Sequence, residues 1–225
     1  MNPALLSLIA ASVTFVGTHF VLSHPLRASL VKRIGERAFL GLYSLVALAT
    51  LAWMALAFRA APAPDLAGSG DIGWIVASVI TVVALVLFLG SLRGNPALPT
   101  GGTLPTIPTR PHGVFAVTRH PMMWGFALWA LAHAILFWSW RTMVVALAIA
   151  VLALVGAHLQ DRKKEQLLGT AWAGWQAKTS YFPHWSRLPG AGLGLWLLAI
   201  VLWLLLTWAH LPSAGVPAGP WRWLG

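Results

Sequence analysis

Apolar residues in this chain come in long blocks rather than alternating with polar ones. Six stretches approach or reach the about 20 apolar residues that a helix needs to cross a bilayer. They lie at roughly 3–24, 39–59, 72–92, 121–140, 142–160 and 191–210. Runs of this length exceed ordinary strands and predict helices. Two further segments break the pattern. Residues 93–117 (RGNPALPTGGTLPTIPTRPHGVFAV) carry five prolines and four glycines, which predicts a long irregular loop. Residues 160–178 (QDRKKEQLLGTAWAGWQAK) place Leu168, Trp172 and Trp175 on one helical face, away from Lys163, Lys164 and Gln166. That pattern predicts an amphipathic helix in the membrane interface. The expected fold is all-α, a polytopic membrane helix bundle. It has about six transmembrane helices plus a cytoplasmic interfacial amphipathic helix, within one integral membrane domain over residues 1–225.

Composition points the same way. Hydrophobic residues make up 58% of the chain and charged residues 9%, with a mean hydropathy of +0.76. A soluble domain is about one quarter charged, so the lipid bilayer is the first partner. The net charge of +10 does not call for nucleic acid, because segments 25–38, 93–120 and 161–190 hold twelve of the fifteen Lys and Arg residues. By the positive-inside rule these segments are cytoplasmic and both termini lie on the other side. The expected location is a bacterial inner (cytoplasmic) membrane. The first apolar block has no basic residues before it, and Arg27, Lys32, Arg33 and Arg37 follow it. It therefore reads as a retained helix rather than a signal peptide. Cysteine is absent, which excludes disulfides and thiolate chemistry. Eight histidines outnumber the five acids Glu36, Asp65, Asp71, Asp161 and Glu165, so a metal would be held mainly by imidazole.

Two histidines fall inside apolar blocks. Pro121 suits the first turn of a helix, and His133 lies ~18 Å along from it. Gly125, Trp129 and His133 share one face at i+4 spacing. His19 occupies the first block, with Phe15, Val16, Leu22 and Ser23 on its side. Two readings stand side by side. Each imidazole bonds a neighbouring helix as polar glue, or the two are axial ligands of one haem, in a gap lined by Phe15, Trp129 and Phe137. The second reading has to absorb a difference in depth, ~8–9 Å against ~18 Å from the cytoplasmic ends. His158 is the reserve ligand. His24 and His210 are expected at the interface, and His112 and His184 in loops. Arg119-His120-Pro121 precedes the fourth block. It is either a positive anchor with a helix-starting proline, or a polar-ligand site completed by Asp161 and Glu165. Local pairing of Asp161 with Lys164 is the simpler account of those acids.

Five stretches together resemble the NnrU family: HFVLSHPLR (19–27), RIGERAFLGLYSLVALATL (33–51), LRGNPALP (92–99), TRHPMMWGFALWALAH (118–133) and DRKKEQLLGTAWAGWQAKTSYFP (161–183). That family in turn resembles the zeta-carotene isomerases, which are membrane haem b proteins, and more distantly the isoprenylcysteine carboxyl methyltransferases. The resemblance implies haem b, with His19 and His133 as ligands to the iron; Arg119, His120 and Trp129 are the further cofactor-binding candidates. It also implies a role in nitrite and nitric oxide metabolism in denitrification. Three functions follow in order. The first is a haem protein serving nitric oxide or nitrite metabolism. The second is a haem-dependent cis–trans isomerase of a polyene or similar hydrophobic small molecule. The third is a methyltransferase that binds S-adenosylmethionine through Arg119, His120, Asp161 and Glu165.

Overall fold

A computed structural model describes residues 2–62, 68–98 and 105–224. The described residues form ten α-helices and one 3-10 segment. These are α1 (Pro3–Ser23), α2 (Arg27–Ile34), α3 (Glu36–Ala60), α4 (Gly70–Gly90), α5 (Val114–Val117), α6 (Pro121–Leu136), α7 (Trp140–Leu168), α8 (Thr170–Lys178), the 3-10 segment Trp185–Ala191, α9 (Leu193–Ala214) and α10 (Trp221–Leu224). Five of them, α1, α3, α4, α7 and α9, are long and apolar enough to cross a bilayer. The protein is an integral membrane helix bundle.

Local chemistry sets the ends. Asn2 caps α1 by accepting from the Ala4 amide at 2.9 Å, with Pro3 at the first helical position. Ser139 caps α7, its hydroxyl accepting from the Thr142 amide at 3.3 Å. These caps satisfy amides that a helix start leaves without partners.

Two expectations need correction. The fourth apolar block does not fill a span: α6 has 16 residues and leaves the helix at Phe137, giving ~24 Å of helix against a ~30 Å hydrocarbon core. Phe137 and Trp138 are as apolar as the helix itself, but they form the tight link into the Ser139 cap. The amphipathic helix over 160–178 is not one element either. Residues up to Leu168 continue α7, and Gly169 turns the chain at φ 53°, ψ −124°, a region only glycine occupies readily. Trp172 and Trp175 of α8 do not anchor in lipid. They are buried against Phe115, Val86 and Leu87 in a core cluster. Lys164 is buried rather than solvent-facing, and its Nζ donates to the Leu98 carbonyl at 3.5 Å.

The membrane helices neighbour one another in the order α3, α1, α7, α6, α4, α9. A second core cluster joins α1 to α3 through Leu8, Ala11, Phe15, Met54 and Ala57. The most extensive helix–helix contact is between α4 and α6. A Cβ on Gly125 would stand 2.9 Å from the Ala84 carbonyl oxygen and 3.4 Å from the Phe88 Cβ. Small residues at such crossings let helix backbones meet where lipid offers no hydrophobic drive. Large side chains on the outer faces, including Leu45, Leu48, Val79 and Leu147, are exposed, as a lipid-facing surface requires.

Candidate functional site

The structure gathers the polar candidates at the basic end and leaves the membrane histidines elsewhere. Thr118 is extended, at φ −154°, and feeds Arg119 and His120 onto the start of α6. The Arg119 amide donates to the Ser180 carbonyl at 2.8 Å, and the His184 amide donates to the Val117 carbonyl at 2.8 Å. The Thr118 hydroxyl and the Trp124 indole N–H both donate to the Tyr181 carbonyl, at 2.8 and 2.9 Å.

Asp161 sits at the centre. Arg119 Nε and Nη2 donate to its Oδ2 at 2.9 and 2.6 Å, and His120 Nε2–H donates to its Oδ1 at 2.9 Å. The carboxylate is 7% exposed, the Arg119 side chain 13% and the imidazole 0%. Paired, hydrogen-bonded charges of this kind are what burial tolerates. With its proton on Nε2, His120 leaves Nδ1 buried and without a partner among the described residues. Burial, and then the Asp161 carboxylate, hold the Tyr181 phenol above its usual pKa. Its hydroxyl therefore stays protonated, and it donates to the Leu154 carbonyl at 2.6 Å.

Of the four residues expected to form a polar-ligand site, Arg119, His120 and Asp161 meet. Glu165 does not join them. It is exposed, and its Oε1 accepts from Gln176 Nε2 at 2.8 Å. The local Asp161–Lys164 pairing is replaced by the longer-range Arg119 contact. Both Asp161 oxygens are engaged by protein donors, so this cluster acts as a clamp between α6, α7 and the 179–184 segment.

The cavity lies at the other end of α6. A pocket of about 440 Å³ opens between α4, α6 and α9, with Trp74, Phe88, Trp129 and Phe137 among its aromatic walls. Its surface is almost wholly apolar, interrupted by His133, His210 and a few hydroxyls. Trp203 Nε1–H donates to Thr81 Oγ1 at 2.9 Å across the α4–α9 wall. The Trp129 and His133 rings lie 4.1 Å apart at 36°. Val216, Ala218 and Gly219, beyond α9, complete the lining. There the Trp221 indole donates to Thr207 Oγ1 at 3.1 Å, and Arg222 Nε donates to Asp71 at 3.0 Å.

His210, expected at the interface, lies four residues before the end of α9 and also lines the pocket. Phe15 does not join Trp129 and Phe137. It is buried between α1 and α3, 4.4 Å from the His19 ring. His158 is exposed on α7. His24 ends α1, and its Nδ1 is 2.7 Å from the Ser23 hydroxyl. Sequence reasoning placed Thr118 beside the Arg119-His120-Pro121 turn but missed Tyr181, although it lies within the 161–183 stretch.

A family model described as NnrU protein matches residues 7–218. The chain belongs to the NnrU family. A weaker likeness joins this NnrU protein to the 15-cis-zeta-carotene isomerase of Zea mays chloroplasts: 31% identity over 80 residues, which is 35% of the chain and 21% of the maize protein. The chain thus matches about a fifth of that relative's length. No solved structure matches it.

Haem b, the cofactor the family resemblance implies, can be tested against the residues present. His19 lies on the α1–α3 side, its ring 5.4 Å from Tyr43, and it lines neither the pocket nor the shallow groove between α1 and α3. It is four residues from the basic end of α1. His133 is three residues from the opposite end of α6, and α7 stands between the two helices. His133 lines the pocket between α4, α6 and α9, and His19 does not.

Proposed function

We propose that this NnrU protein binds a hydrophobic small molecule from the bilayer, in the pocket between α4, α6 and α9, and carries out cis–trans isomerisation of a polyene there. One observation carries the reading: a cavity of about 440 Å³ with nearly wholly apolar walls, set inside a membrane bundle. Its size falls within the range of small-molecule sites, and apolar walls with few polar groups are what such sites use. Isomerisation changes the shape of an apolar molecule without adding or removing atoms. It therefore needs a shaped, water-free slot rather than a hydrolytic site. The likeness to the maize isomerase supports the same reaction class.

The family's implied role in nitrite and nitric oxide metabolism remains a second reading, favoured by the two imidazoles in the pocket wall. Nitric oxide is small and soluble in lipid, so it reaches the same cavity by the same lateral route. Methyl transfer has least support, because Asp161, which it assigns to the cofactor, is held by Arg119 and His120.

The test is titration of the purified protein in lipid nanodiscs with a poly-cis carotenoid. Tryptophan quenching reports binding, and chromatography of the extracted polyene reports its isomers. Saturable quenching is expected, together with conversion by the wild type. Ser78→Trp, which fills the pocket from α4, should lower affinity at least tenfold. Absence of saturable binding by the wild type, or equal binding by the filled variant, overturns the reading.

A further inference from the structure

We infer that Arg27, Lys163 and Lys164 form a site for the phosphate of an anionic phospholipid, at the seam where the chain leaving α1 meets the end of α7. The site is independent of the pocket and of what fills it. The helices α1 and α7 run in the same direction. Leu8, Ala11 and Phe15 pack beside Val144, Ile149 and Leu152, and a Cβ on Gly156 would stand 3.8 Å from a Phe20 ring carbon. Seven residues beyond Phe20 comes Arg27, and seven beyond Gly156 comes Lys163. The positive charges therefore arrive at one level. Arg27 and Lys164 both repel the Lys163 ammonium, and Arg27 also repels Lys164.

The protein supplies too little negative charge to balance them. Glu36 is the one acid beside the cluster among the described residues, and its Oε1 already accepts from Arg27 Nη2 at 2.6 Å. Asp161 is taken by Arg119 and His120, and Glu165 is exposed and bonded to Gln176. Lys164 is 6% exposed, yet its Nζ reaches only the neutral Leu98 carbonyl, at 3.5 Å. That is long for a hydrogen bond. Lys163 is half-buried and forms no ion pair with a described residue. Cations drawn out of water without a counter-charge are costly. An anion from outside the chain completes the seam.

Surroundings select a lipid over a free ion. Lys163 follows directly on the apolar block of α7, at the depth where head groups lie. Beside it, α2 buries none of its residues. Leu26, Leu30 and Ile34 recur along it at four-residue spacing, and Leu26 and Ile34 are exposed, as are Lys32 and Arg33. An apolar face with basic neighbours suits a helix lying in the interface. Acyl chains cover that face while the phosphate meets the ammonium and guanidinium groups, as in basic pockets between membrane helices that hold anionic head groups. Inorganic phosphate satisfies the charges and leaves the apolar face bare.

The experiment titrates the delipidated, detergent-solubilised full chain with phosphatidylglycerol, phosphatidylcholine or inorganic phosphate, and counts bound molecules by native mass spectrometry. The wild type should take up phosphatidylglycerol in clear preference to zwitterionic phosphatidylcholine, and millimolar inorganic phosphate should not displace it. Lys163→Gln should weaken phosphatidylglycerol binding roughly fivefold, the size expected for one cation at an anionic membrane surface. Lys164→Gln should do the same. Because Lys164 is buried, the half-buried Lys163 keeps the test decisive if the Lys164 variant fails to fold. Arg162→Gln removes the same charge from an exposed neighbour and should bind like the wild type. Equal uptake of the two lipids overturns the inference, as does an equal loss in Arg162→Gln and Lys163→Gln. Displacement of the lipid by inorganic phosphate overturns the assignment to a phospholipid.

Discussion

Removing the Asp161 carboxylate strands a guanidinium and an imidazole in a buried site that now holds no anion. Breaking one side of a buried ion pair costs about 3–5 kcal/mol. Asp161→Ala should therefore lower the thermal midpoint in detergent by many degrees, followed by intrinsic fluorescence, while Glu165→Gln stays near the wild type because its bond to Gln176 is exposed. Equal melting of the two variants would contradict the clamp. At this scale the sequence was informative about chemistry and poor about pairing. A rare acid beside basic residues, and an Arg-His-Pro turn at a helix start, mark Asp161, Arg119 and His120 as candidates. Choosing Arg119 over Lys164 as the partner depends on a contact 42 residues away, which no local spacing encodes. That His210 also lines the pocket is hidden for a related reason, because it depends on α4 lying beside α9.

Among the elements, α4 and α6 share the most extensive contact, and Gly125 lets their backbones meet there. A leucine there has to displace the Ala84 carbonyl, a backbone atom, rather than a movable side chain. Overpacking of this kind costs about 1–3 kcal/mol. Gly125→Leu should lower the thermal midpoint and weaken carotenoid binding together, because both helices wall the pocket. Wild-type affinity in that variant, read by tryptophan quenching, would detach the cavity from the α4–α6 crossing. The long helices were legible from block length alone, since each needs only an apolar run and its caps. The ends of α6 and α7 were not. Phe137 and Trp138 leave a helix that their hydropathy would continue, and α7 runs on past its apolar block into charged residues because Asp161 and Lys164 find buried partners beyond the bilayer.

Across the whole molecule, the basic loops gather at one end of the bundle, joined by the Arg119–Asp161 and Lys164–Leu98 contacts. Arg141 and Arg222 lie at the other end, bonded to the Ala61 carbonyl and to Asp71. The positive-inside rule then predicts which end faces the cytoplasm. The chain has no cysteine, so single thiols report cleanly. A membrane-impermeant maleimide applied to intact spheroplasts should label Ser213→Cys at once and Ser29→Cys only after permeabilisation, and the reverse order would invert the topology. The Arg119–Asp161 bond has a consequence in time as well as in space. During synthesis at about 5–20 residues per second, the ribosome delivers the carboxylate several seconds after the arginine. The hairpin of α6 and α7 has to be threaded into lipid before the two can meet. Until then Arg119 lacks its buried partner, and the arrival of Asp161 marks the moment when the end of α7 can lock onto the start of α6.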